Sequence, residues 1–171
     1  PGLEVLRKGH FTMDQQTIES NISMPDMGHQ YEIMVKFVPG DADKFGLVIN
    51  KNPDGSEYTR IYFDRMRDML VVDKEHMSAA VSNIPRLQQR SNTNRYINED
   101  HYVIEGDEVT LHLYIDGSVV DGFINDEDAF TSRIYPSKEN STMVEIFSDG
   151  TDTKVSAEMW KISDAIVKMN Y

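Results

Sequence analysis

The chain has 171 residues, a length that fits one domain with a sizeable core, and its apolar and charged contents are ordinary for a globular protein. Its 29 acidic against 17 basic residues give a net charge of −12, which repels nucleic-acid phosphates and anionic lipid and counts against both as partners. There is no cysteine, so disulfides, thiolate metal sites and cysteine nucleophiles are excluded and the compartment stays open.

No apolar run is long enough to span a bilayer as a helix. The chain opens PGLEVLRKGH, without an initiator methionine or a leader pattern, and is expected to be a piece of a longer protein. From there on, period-two alternation recurs and long helical stripes do not. Strands are expected at FTMD (11–14), IESNISM (18–24) and YEIMVKFV (31–38), the last setting Tyr31, Ile33, Val35 and Phe37 against Glu32, Met34 and Lys36. FGLVIN (45–50) follows, then the turn NPDG (52–55), then YTRIYFD (58–64), with Thr59, Ile61 and Phe63 opposing Tyr58, Arg60 and Tyr62. MLVVD (69–73) is the next strand. Residues 74–102 break the pattern: the segment is polar, holds Pro85 and exceeds a usual loop, so a functional or crossover excursion is expected.

VTLHLYID (109–116) has the cleanest alternation, with Val109, Leu111, Leu113 and Ile115 on one face and Thr110, His112, Tyr114 and Asp116 on the other. SVVDGFIN (118–125), FTSRIY (130–135), MVEIFS (143–148) and VSAEMWKI (155–162) complete the strands, and SDAIVKMN (163–170) allows a short helical turn. Glycines in NPDG, Asp116-Gly117 and Asp149-Gly150 stand where hairpins take positive φ. Many short strands with such turns predict an all-β fold, an antiparallel two-sheet β-sandwich of the lectin-like jelly-roll kind, formed by 1–171 as one domain. Gly122 alternates onto the same face as Val120 and Ile124. A glycine inside a buried strand face predicts that a bulge, a close backbone or a large neighbour such as Trp160 or a Tyr takes up the space.

Glycoside hydrolysis needs two facing carboxyls, one often with a raised pKa. The sequence pairs Asp126/Asp128 and Glu99/Asp100 fall in expected solvated loops, and no catalytic residue is assigned. Asp126, Glu127 and Asp128, or Asp149 with Asp152, lack the spacing of a calcium loop and read as solvated turns. The scattered histidines include no metal-ligand pair, so no metal site is assigned either, and His112 reads as a surface or interface histidine. Sugar recognition favours exposed rings beside planar polar groups. The candidates are Tyr58, Tyr62 and Tyr114 on the polar faces of their strands, with Arg95, Tyr96, His101 and Tyr102 from the excursion. Against them stands the commoner role of such tyrosines, packing under a loop. Trp160 reads as packing, in the core or against a neighbouring domain.

The stretch LHLYIDGSVVDGFINDEDAFTSRIYP (111–136) resembles the signature of the C-terminal β-sandwich of glycoside hydrolase family 32, the invertase, levanase and inulinase family. The positions that carry the resemblance include Asp116, Ser118, Val120, Phe123, Asn125, Asp126 and the run Thr131, Ser132, Arg133, Ile134, Tyr135, Pro136. Upstream and downstream strands agree in order, from about residue 17 to 162. Gly117, Asp121 and Gly122 depart from the family pattern at one hairpin. In that family the catalytic groups lie in a separate N-terminal β-propeller, in Trp-Met-Asn-Asp-Pro-Asn, Arg-Asp-Pro and Glu-Cys blocks. None occurs here: Arg67-Asp68 is followed by Met69, and cysteine is absent. The resemblance therefore implies a non-catalytic accessory domain with no cofactor, whose partner is the catalytic propeller of the same chain. A carbohydrate-binding module for fructose-containing glycans is the alternative it leaves open.

Overall fold

The computed structural model describes residues 3–78 and 96–163. A short 3-10 helix, Leu3–Leu6, leads into β1 (Arg7–Thr17), β2 (Ile22–Ser23), β3 (Gln30–Val38), β4 (Lys44–Lys51), β5 (Thr59–Asp64) and β6 (Met69–Asp73). Then come β7 (Ile97–His101), β8 (Val109–Asp116), β9 (Val119–Ile124), β10 (Asp128–Arg133), β11 (Met143–Ser148) and β12 (Lys154–Ile162). They form two six-stranded sheets, sheet A in the order β1-β12-β3-β8-β9-β10 and sheet B in the order β2-β11-β4-β5-β6-β7. Every pairing is antiparallel. The fold is the two-sheet sandwich that the alternation predicts.

Alternation places the core. Tyr31, Ile33, Val35 and Phe37 of β3 and Val109, Leu111, Leu113 and Ile115 of β8 are buried, facing Phe45, Leu47, Ile49, Ile61 and Phe63 of sheet B. Phe37, Phe45 and Phe63 form a ring chain with centroids 5.0 and 5.3 Å apart, tying the two sheets together. Burying each such side chain contributes about 1.5–3 kcal/mol.

Two turns hold the strands in register at their ends. Gly117 turns β8 into β9 with φ 55°, as expected of that hairpin. Gly150 does not take positive φ; it is small because Asp41 Oδ1 and the Ala42 backbone would stand 2.5 and 2.7 Å from an added Cβ. Asp149 Oδ1 accepts the Asp43 and Lys44 amides, and Asp152 Oδ1 accepts the Asp41 amide, so these carboxylates fasten the β3–β4 turn.

The polar segment 74–102 ends in a strand, β7, which alternation does not reveal. As the edge of sheet B it is exposed along most of its length, so its sequence, INEDH, needs no apolar face. The helical turn considered for 163–170 falls, but for Ser163, outside the described residues.

Candidate functional site

The tyrosines named from sequence go to different surfaces. Tyr58 stacks on His76 with centroids 4.9 Å apart. Tyr62 lies on the outer face of sheet B, edge-on to Phe147 at 6.1 Å and with the Arg60 guanidinium 5.7 Å above it. His101 is exposed on the same sheet, opposite Met69. Tyr96 is half-buried and its carbonyl accepts the Lys74 amide. Tyr102 packs on Phe63 at 5.7 Å, and its hydroxyl accepts Asn125 Nδ2 at 3.1 Å. Arg95 lies outside the described residues. Only Tyr114, among those described, sits on the outer face of sheet A, and it is there that functional groups converge.

The cross-strand register of sheet A lays His10, Trp160, Glu32, Tyr114, Asp121 and Thr131 in one outward-facing row, one residue per strand. The next row carries Glu158, Met34, His112 and Phe123. At their centre Glu32 is 0 % exposed, although alternation points it away from the core. Arg7 covers it. The guanidinium forks onto the carboxylate with bonds of 2.7 and 2.5 Å and lies 4.1 Å from the Trp160 ring centroid. His112 Nε2 donates to Glu32 at 2.7 Å, and His10 stacks on Trp160 at 5.0 Å, nearly parallel. Burial alone would raise the Glu32 pKa. The bonds from Arg7, His112 and Tyr114 outweigh that and hold it below the usual carboxylate range. The Arg7 pKa is pushed up chiefly by the same bond to Glu32.

Beside this network a cleft of about 430 Å3 opens between β8, β9 and β10, within the size range of binding clefts. Tyr114 and Phe123 meet at a right angle in its wall, 6.2 Å apart, and Phe123 is 37 % exposed. Glu4, Asp121 and Asp126 add carboxylates, and Thr131 donates its hydroxyl to Asp121 Oδ1 at 2.7 Å. Glu4 comes from the 3-10 helix before β1, so the leading segment lies against this face.

The other buried carboxylate with a clear task is Glu57. One oxygen accepts the Ser137 amide and hydroxyl at 3.1 and 2.5 Å; the other accepts the Lys138 amide and the Ser141 hydroxyl at 3.1 and 2.5 Å. Burial opposes its charge, but these four donors lower its pKa all the same. The exposed turn acids Asp41 and Asp54 are also lowered, first by hydroxyl donors, Thr151 and Ser56 respectively. Among the described residues the carboxyl groups with a clear shift all move down, the direction opposite to that of a general acid. Asn125, Asp126 and Glu127 form the exposed β9–β10 turn, with Asn125 and Asp126 at φ 52° and 58°, and Asp128 opens β10 rather than lying in a loop.

Sequence reasoning missed Arg7, Glu32 and Phe123 as parts of one surface. A carboxylate in mid-strand on β3, facing a histidine and a tyrosine on the next strand, was the available signal; what hides it is that Arg7 and Glu32 are 25 residues apart. Trp160 does pack, but on this outer face rather than in the core.

The chain is thus a two-sheet sandwich whose buried carboxylates Glu32 and Glu57 are committed to internal hydrogen bonds, with one built aromatic and acidic face. Residues 3–161 match the family described as glycosyl hydrolases family 32 C terminal, and the chain belongs to that family. It is 24% identical over 177 residues to a sucrose-6-phosphate hydrolase of Zymomonas mobilis, covering 95% of this chain and 30% of that protein. With an acid beta-fructofuranosidase of Phaseolus vulgaris it shares 25% identity over 135 residues, 75% of this chain and 20% of the relative. Among solved structures, a beta-fructofuranosidase of Aspergillus kawachii superposes with TM-score 0.74 at 19% identity, over 97% of this chain and 30% of that one. A fructan 1-exohydrolase of Cichorium intybus does so with TM-score 0.70 at 17% identity, over 95% of this chain and 37% of that one. The structural likeness carries the fold. The chain spans about 30% of the length of the curated relatives it first matches.

Proposed function

We propose that this chain is the non-catalytic accessory sandwich of a glycoside hydrolase acting on sucrose or fructans, and that it packs against and stabilises that enzyme's catalytic β-propeller. The observation that carries the proposal is the state of its carboxyl groups. Glycosidase chemistry needs one carboxyl held protonated by an apolar or like-charged setting beside another that is ionised. Here Glu32 and Glu57 are buried but surrounded by donors, which holds both ionised. The family match and the short span relative to the curated hydrolases agree with a module whose chemistry lies in a neighbouring domain.

The pure chain is expected to release no fructose from sucrose, levan or inulin at any pH. Turnover that disappears on replacing Asp126 or Glu127 would overturn the proposal. The second reading, a carbohydrate-binding module, is favoured by the cleft beside Tyr114 and Phe123. Calorimetric titration with fructan oligosaccharides separates the two, since the packing role predicts no heat of binding.

A further inference from the structure

We propose that the catalytic domain docks on the outer face of sheet A, centred on Tyr114 and Phe123, and meets its acidic rim with a basic patch. The inference rests on the accessory role proposed above and adds the face and the chemistry of the contact. The family match is to a C-terminal module, so in the longer chain the neighbour joins ahead of β1. The segment leading into β1 is seated on this face. Arg7 reaches over Trp160 to Glu32 on β3, and Glu4 lines the cleft with Phe123. A domain attached there stands over sheet A, not sheet B.

The two outer faces also differ in what they leave unanswered. On sheet B the charges are answered within the chain: Arg60 pairs with Asp73 at 3.0 Å, Lys51 with Glu145 at 2.6 Å, and Arg67 with Glu99. Val48 and Val71 on that face are already buried. On sheet A, Phe123 stands exposed, 37 %, and Val5 of the 3-10 helix that leads into β1 is 71 % exposed. Among the described residues no lysine or arginine lies within ion-pair distance of Asp121 or Asp126. An aromatic centre with a polar rim is the anatomy of a domain contact, and its negative rim selects a positive counterpart. The Arg7–Glu32 fork fixes the leading segment, so the contact is preorganised rather than tethered loosely.

The chain's lack of cysteine makes thiol labelling a direct test. Ala129→Cys places a reporter in the cleft, and Glu99→Cys places one on the outer face of sheet B. Labelling rates are followed by peptide mass spectrometry in this 171-residue chain and in the longer chain with the catalytic domain attached. We expect the Ala129→Cys rate to fall about tenfold or more in the longer chain, as for a desolvated contact, with Glu99→Cys unchanged. Adding Asp121→Lys should restore fast labelling; if protection survives that reversal, the basic-patch chemistry is wrong. Protection of Glu99→Cys alone would overturn the face assignment and leave the packing role standing. Protection at neither position would overturn both. Protection of Ala129→Cys in this chain by a fructan oligosaccharide alone would make the cleft a sugar site instead.

Discussion

Gly122 shows how one missing side chain is answered by another. A Cβ built on it would lie 2.2 Å from two Phe130 ring carbons and 2.9 Å from Leu113 Cδ2. Phe130 sits directly across from Gly122 in the β9–β10 register, so its ring lies over the glycine and shields the end of the core. The space is filled, as the alternation requires, but by Phe130 rather than by Trp160 or a tyrosine. Trp160 is on the opposite face of the same sheet, where Arg7 holds it. Gly122→Val must push the ring aside and is expected to lower stability by about 1–3 kcal/mol, read as a drop in denaturation midpoint. Phe130→Ala opens the same space, so Gly122→Val made in that background should cost less than in the parent. A midpoint at or above the parent's for Gly122→Val alone would show that the ring does not fill the space.

Two glutamates act at the scale of whole elements. Glu32 on β3 draws Arg7 of β1 across the intervening β12, and Glu57 binds 137–141, the connection from β10 in sheet A to β11 in sheet B. Both have folded pKa values below their unfolded ones. Their contribution is therefore complete above the unfolded glutamate value of about 4.3 and is lost as pH falls through the folded values. Chemical denaturation across acid pH should show stability falling below roughly pH 5. Glu57→Gln should lower stability at neutral pH by about 1–3 kcal/mol and flatten that acid slope. An acid slope identical to the parent's would contradict the assignment. The elements themselves were largely legible: β8 follows the alternation throughout and β3 and β5 over most of their length, because each presents an apolar face to one core. β7 was not, since an edge strand exposed to water carries no such face. The functional surface was less legible still. Alternation assigns Glu32 to solvent, and it is the Arg7 side chain, reaching across from the edge strand β1, that covers it.

At the scale of the molecule, the two sheets close one continuous core, and what remains outside it is unevenly distributed. One outer face is internally neutralised; the other carries the seated leading segment, a fixed aromatic cluster and two acids, Asp121 and Asp126, that have no lysine or arginine within ion-pair distance among the described residues. That asymmetry, together with carboxylates held ionised, fits a module that stabilises a catalytic neighbour without sharing in its chemistry. The sequence resemblance implied an accessory role through the 111–136 signature, but the grouping of Glu32, Tyr114 and Asp121 on one face depends on β-register and was not readable from residues alone. Scanning calorimetry of the catalytic propeller alone, this chain alone, and the two mixed in equal amounts tests the role most directly. Mixing is expected to raise the unfolding midpoints by about 2–8 °C, the range that a binding stabilisation of one to a few kcal/mol produces in domains of this size. Two transitions in the mixture, each at the midpoint of its isolated component, would contradict the stabilising role.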